Sequence, residues 1–358
     1  MSRAYLVLAN GQRFEGEAIG ARAESIGELV FTTGMVGYLE TLSDPSYAGQ
    51  IIMQTFPLIG NYGVITPDLE GRPACRGYVC RELCAAPSNF RSEYELDRFL
   101  KENRIPGITG VDTRAITRLI REEGVMNAAI VYDLPADMAA IRSYSVRNAV
   151  ASVSTGTVEH HAPEGKVRFR VALMDYGAKK NIIRCLLKRG CHVTVYPYNT
   201  PAEVVLASRP DGIMLSNGPG DPAENLGPIR EIRKMLGQAP IFGICLGHQL
   251  TALAAGGKTY KLKYGHRGGN QPVTDLLEGR TYITSQNHGY AVDAAALPYG
   301  ALLRYVNAND MSSEGIDYPA LRCFTVQFHP EAASGPHDTE FLFDRFMDMM
   351  GGESLAQR

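Results

Sequence analysis

Apolar and polar positions alternate in short runs along the first 150 residues. The runs 4-AYLVLA-9, 29-LVFTT-33, 50-QIIMQTF-56 and 77-GYVCREL-83 predict β-strands, separated by Gly, Pro and Asn turns. Two stretches there carry helical spacing instead, 93-EYELDRFLKENR-104 and 112-DTRAITRLIREEG-124, the second with Asp112 placed to cap it and Gly124 to end it. Residues 151–166, ASVSTGTVEHHAPEGK, are small and polar with Gly and Pro, and predict a linker. From 167 to 358 the pattern changes. The runs 167-VRFRVALM-174, 193-VTVY-196, 212-GIMLS-216 and 240-PIFGIC-245 are each followed by a loop and a helix-compatible segment, which predicts βαβ units and a mainly parallel sheet flanked by helices. The expected organisation is therefore an N-terminal β-rich α/β domain over 1–150, a linker over 151–166, and a C-terminal α/β domain over 167–358.

Composition narrows the class. The chain has 358 residues, enough for two domains with cores of their own, and 45% hydrophobic with 21% charged residues is the balance of a globular protein. A net charge of -2 supplies no field for nucleic acid or an anionic membrane, so neither is expected as a partner. No apolar run is long enough to span a bilayer, and the N-terminal stretch reads as strand and turn rather than signal peptide. Seven cysteines at irregular spacing fit a reducing, cytoplasmic setting. The Cys75, Cys80 and Cys84 spacing is not that of a zinc knuckle, and His160-His161 lacks a second ligand pair, so no metal site is expected.

The candidate chemistry lies at the ends of the C-terminal strands. In 241-IFGICLGHQL-250, Cys245 sits between an apolar run and a helix, with Gly243 and Gly247 two positions to either side. That is the layout of a nucleophile elbow, where the helix N-terminus favours thiolate and the N–H of Leu246 can meet an oxyanion. The run 321-LRCFTVQFHPEA-332 predicts a buried strand with His329 at its exit. If the chain stays extended through Pro330, Glu331 lies on the same side as the imidazole. Such a triad would attack an amide carbon through sulfur, release ammonia and leave a thioester for water to cleave. The segment 217-NGPGDP-222 lacks the Gly-Lys-Ser/Thr of a phosphate loop and reads as a second oxyanion donor. His248 and His288 are expected to be structural, whereas Gln249, one helical turn beyond Cys245, returns to the sulfur's side and could bind a polar substrate.

With these residues in place, 242-FGICLGHQ-249 and 328-FHPE-331 resemble the class I glutamine amidotransferases. The segments 28-ELVFTTGMVGYLETLSDPSYAGQII-52, 55-TFPLIGNYG-63, 86-APSNFRS-92, 106-PGITGVDTRAITRLIREEG-124 and 174-MDYGAKKNIIR-184 are similar more narrowly to the small, glutamine-hydrolysing subunits of carbamoyl phosphate synthetases. The resemblance implies Cys245, His329 and Glu331 as catalytic residues. It also implies glutamine contacts from Ser46, Gly218, Gly220, Leu246, Gln249, Asn287, Gly289 and Tyr290. No cofactor is implied for this chain; ATP, Mg2+ and bicarbonate belong to a large subunit, the expected partner, which would receive ammonia for carbamoyl phosphate synthesis supplying arginine, pyrimidines or both. An amidotransferase of another pathway is disfavoured by the N-terminal segments, and a silent regulatory subunit by the intact triad. Ala333-Ser334, Met311-Ser312 and Phe90 depart from the usual family residues, and none belongs to the triad.

Overall fold

A computed structural model describes residues 2–352, which divide into two compact units, one running to Ala149 and the other beginning at Val150.

In the first unit seven strands among the described residues close into a barrel. They are β1 (Arg3–Leu8), β2 (Arg13–Gly20), β3 (Ser25–Thr32), β4 (Gln50–Gln54), β5 (Gly77–Val79), β6 (Pro106–Thr109) and β7 (Met126–Val131), in the order β1-β2-β6-β5-β4-β3-β7. Closure removes the unpaired edges that an open sheet would expose. The core joins Val30, Ile52 and Tyr78 to Leu96, Phe99 and Leu100 of the helix Leu96–Glu102. Helix α1 (Thr113–Glu123) starts where expected, since the Asp112 side chain accepts from the Ala115 N–H at 3.0 Å, and it stops at Gly124, whose φ of 97° only glycine adopts readily. Cys80 is buried against Thr109, 3.6 Å away.

The second unit is built on a ten-stranded sheet among the described residues. Its strands are β8 (Glu159–His161), β9 (Phe169–Asp175), β10 (Cys191–Pro197), β11 (Gly212–Leu215), β12 (Ile241–Ile244), β13 (Thr259–Asp275), β14 (Arg280–Val292), β15 (Leu302–Asn307), β16 (Ser313–Tyr318) and β17 (Cys323–Val326). The order is β8-β10-β9-β11-β12-β17-β16-β15-β13-β14. Strands β10, β9, β11, β12 and β17 pair in parallel, and the outer strands antiparallel. Helices α2 (Lys180–Lys188), α3 (Leu226–Met235), α4 (Leu246–Ala255) and α5 (Phe341–Met350) cover the parallel part, so its strands are apolar on both faces, as in 241-IFGI-244. On one face Phe242 stacks on Phe324 with centroids 4.4 Å apart and meets Phe343 of α5 edge-on at 5.5 Å. Each such buried ring contributes about 1.5 to 3 kcal/mol.

Two readings change here. The stretch 151–166, expected as a linker, contains part of the helix Ala149–Val153 and the strand β8, which pairs antiparallel with β10. Its Thr155 N–H also donates to Asp175 at 2.6 Å. The apolar run from Leu321 is a strand only over Cys323–Val326; the chain bends at Gln327 and turns at Pro330-Glu331, so extended geometry does not carry through to Glu331. Among the described residues no helix is long and apolar enough to cross a membrane.

Candidate active site

Cys245 joins β12 to α4 with φ 52° and ψ -102°, a conformation that costs a non-glycine residue energy and must be held by its surroundings. The packing around it explains both flanking glycines. A Cβ on Gly243 would lie 2.9 Å from the Thr325 methyl and 3.0 Å from Gly247 backbone, and a Cβ on Gly247 would lie 2.3 Å from the Leu215 carbonyl. The Gly247 N–H donates to Ser216 O at 3.0 Å. That leaves the Leu246 N–H, at the positive end of the α4 dipole, as the donor at this turn for charge beside the sulfur.

Cys245 follows directly on β12, and His329 lies three residues past the end of the neighbouring parallel strand β17. The Cys245 N–H donates to Val326 O at 2.8 Å, and three residues beyond Val326 the His329 N–H donates to Ser285 O of β14 at 2.9 Å. The turn at Pro330 brings Glu331 back on the imidazole, where its Oε1 lies 2.6 Å from His329 Nδ1, and both residues are buried. A carboxylate accepts, so Nδ1 carries the proton and Nε2 is free for chemistry. That Nε2 is buried without a hydrogen bond, while the sulfur lies 3.7 Å from the Asn287 carbonyl. Catalytic hydrogen bonds are often long before substrate binds.

A fourth group completes the cluster. Lys179, in the loop after β9, places its ammonium 3.3 Å from Glu331 Oε1, and Asn181 donates to the Glu331 carbonyl. Burial opposes charge on Glu331, but His329 and Lys179 outweigh it and hold the carboxyl well below the usual range. For His329, burial and Lys179 pull the affinity for protons down, while Glu331 and the Cys245 sulfur raise it; the raising groups win and push it up to about 9. The imidazole is thus poised as an imidazolium beside the Cys245 sulfur. The segment 175-DYGAKKN-181 stood out as a strand-end loop, but no spacing marks Lys179 as the partner of a carboxylate 152 positions on.

The other sequence-singled residues divide by location. Leu246, Gln249, Asn287, Gly218, Gly220, Gly289 and Tyr290 all lie in the second unit. Gly218 is forced by space, since a Cβ there would sit 2.2 Å from Tyr176 O and 2.7 Å from the Leu246 side chain. Gly220 takes φ 87°. The Gln249 amide donates to Tyr290 O at 2.8 Å and to Gln327 Oε1 at 2.9 Å, so its nitrogen ties α4 to β14 and its oxygen is the atom left to recognise a ligand. Ser46 lies in the first unit, in the turn Pro45–Tyr47, where its N–H donates to Asp44 at 2.9 Å. His248 bonds Thr325 Oγ1 at 2.8 Å, and burial holds its pKa down to about 3, so it stays neutral in the core. Met311 takes φ 63°, a left-handed turn position where glycine is more usual.

Residues 172–349 match the family model "Glutamine amidotransferase class-I", and the second unit is a domain of that class. Residues 6–130 match "Carbamoyl-phosphate synthase small chain, CPSase domain". The chain is 51% identical over 349 residues to a carbamoyl phosphate synthase small chain of Clostridium perfringens, covering 96% of this chain and 99% of that one. It is 48% identical over 376 residues to one of Syntrophotalea carbinolica, covering 99% and 100%. A third, from Fusobacterium nucleatum, is 51% identical over 348 residues, covering 96% of each. The chain belongs to the carbamoyl phosphate synthase small chain family.

Proposed function

We propose that this chain is the glutaminase subunit of a carbamoyl phosphate synthetase, with Cys245 as nucleophile and His329 and Glu331 as its acid-base pair. The Cys245 thiolate attacks the glutamine carboxamide carbon, and the oxyanion is met by the Leu246 N–H and by backbone of the Gly218 to Gly220 loop. His329 Nε2–H gives its proton to the departing nitrogen, releasing ammonia and leaving a thioester. The now neutral imidazole takes a proton from water, the hydroxide displaces sulfur, and glutamate leaves with thiolate and imidazolium restored. Gln249 helps to hold the glutamine, and Asn287, Gly289 and Tyr290 contact its amino-acid end.

The observation that carries this reading is the 2.6 Å contact of Glu331 with His329, just past the end of the strand beside a strained cysteine at a helix N-terminus. Ammonia then passes to a large subunit that binds ATP, Mg2+ and bicarbonate and makes carbamoyl phosphate for arginine or pyrimidine synthesis in the cytoplasm.

The test is glutamate release by the purified chain, alone and with a large subunit, before and after Cys245→Ser. Release that survives the substitution refutes the nucleophile. Absence of release under every condition refutes the glutaminase and leaves a silent subunit. Carbamoyl phosphate formed from glutamine only when both chains are present supports the whole assignment.

A further inference from the structure

A second buried histidine cluster lies in the same unit. His266 of β13 stands directly across from His288 of β14, and Glu314 of β16 reaches both. The rings meet edge to face with centroids 4.9 Å apart. The Glu314 carboxylate is completely buried, and neither oxygen has a hydrogen-bond partner, although Oε1 is 3.4 Å from His266 Nδ1 and 3.7 Å from His288 Nε2. A buried carboxylate left in this state is costly unless something positive stands against it.

The outer sides of the two rings decide what that is. His266 Nε2 lies 2.9 Å from the Asp310 carboxylate, and His288 Nδ1 lies 2.8 Å from the Tyr290 carbonyl. Both partners can only accept, so these nitrogens carry the ring protons. In the neutral imidazoles the inner nitrogens, His266 Nδ1 and His288 Nε2, then present lone pairs toward Glu314, and the Asn307 amide nitrogen is a further neighbour of His266 Nδ1 at 3.4 Å. Gln286 adds a further oxygen, Oε1, 3.2 Å from His288 Nε2. Several electron-pair donors therefore face one another around a single buried point.

We propose that His266 Nδ1, His288 Nε2 and Glu314 Oε1 form a binding site for a divalent transition cation of the zinc class, with Gln286 Oε1 placed as a fourth donor. Two imidazoles and a carboxylate are a donor set that suits such a cation. The three donor atoms lie within 4.8 Å of one another. A tetrahedral ion with bonds of about 2.0 to 2.1 Å has edges of about 3.3 Å, so the Glu314 contacts are already near the required length. The Asp310 and Tyr290 contacts are the outer hydrogen bonds that fix the tautomer of a ligating histidine. The cation ties three strands together and has a structural role next to Asn287 and Gly289.

The experiment uses the full chain as Cys245→Ser, so that the proposed nucleophile cannot hold the metal, stripped with a chelator and titrated with Co2+ as a spectroscopic probe. The expected result is one Co2+ per chain, visible ligand-field bands without thiolate-to-cobalt charge transfer, and a raised Tm. Glu314→Gln and His266→Gln abolish stoichiometric binding. Asp310→Asn, at a half-exposed carboxylate that leaves the core untouched, weakens it about 10- to 100-fold. No stoichiometric uptake overturns the proposal in favour of a proton shared by the cluster. Uptake that shows thiolate charge transfer, or that persists at full strength in Asp310→Asn and whichever of the other variants fold, overturns it as well.

Discussion

Two clusters in one sheet each pair histidine with a buried glutamate, and they are wired in opposite senses. At His329 the carboxylate holds Nδ1 and leaves Nε2 facing the Cys245 side, with Lys179 balancing the charge. At His266 and His288 the outer nitrogens are held by Asp310 and Tyr290, and the inner ones converge on Glu314. One arrangement presents a proton for transfer; the other presents lone pairs to be shared. The residue types are the same, so the difference comes from which nitrogen the fold occupies first.

Substitutions can break or sharpen that contrast. The largest effect is expected for Cys245→Ser, which should reduce glutaminase kcat at least about 10³-fold with little change in Tm, whereas Glu314→Gln should act first on metal uptake. Glu331→Gln should cost about 10²- to 10⁴-fold in kcat. It also carries a signed consequence. Glu331 raises the pKa of His329, so activity that needs the imidazolium is present below about pH 9 and lost above it, and the variant should move that alkaline limb to lower pH. A kcat/KM profile in which the limb stays in place would show that Glu331 does not act through the ring.

Gly247→Ala comes next. Its new methyl would sit 2.3 Å from the Leu215 carbonyl, so the elbow must shift, at a cost of about 1 to 3 kcal/mol in urea unfolding together with lost activity. The smallest effect is expected for Lys179→Met. Lys179 lowers the His329 pKa, so its removal should move the alkaline limb upward, opposite in sign to Glu331→Gln, with kcat changed only severalfold. Equal shifts of the same sign in the two variants would sink the account of how the pair is tuned.

What could be read from the sequence followed local rules. The elbow glycines, the cap at Asp112 and the apolar parallel strands each depend on neighbours a few positions apart, and all were legible. The barrel strand Arg13–Gly20 was not, because its residues are mostly exposed or half-exposed and carry little apolar signal. The ribbon β13 and β14 escaped as well, since the Gly-rich stretch 264-YGHRGGNQP-272 carries little apolar signal and its pairing, bulges included, is set by β14 and β15. His329 and Glu331 were found as a pair for a partly wrong reason, since a turn at Pro330 rather than an extended chain brings them together. Lys179, and the meeting of His266 with Glu314, depend on tertiary placement that periodicity does not encode.

The Cys245 N–H bond to the Val326 carbonyl has a consequence for heat inactivation. Past the bend at Gln327 the His329 N–H is tied to Ser285 of β14 as Cys245 is tied to Val326, so the gauge between sulfur and imidazole is held at both ends by backbone bonds to strands of one sheet. Warming that loosens surface segments should leave that gauge unchanged, and turnover should persist until the central sheet itself melts.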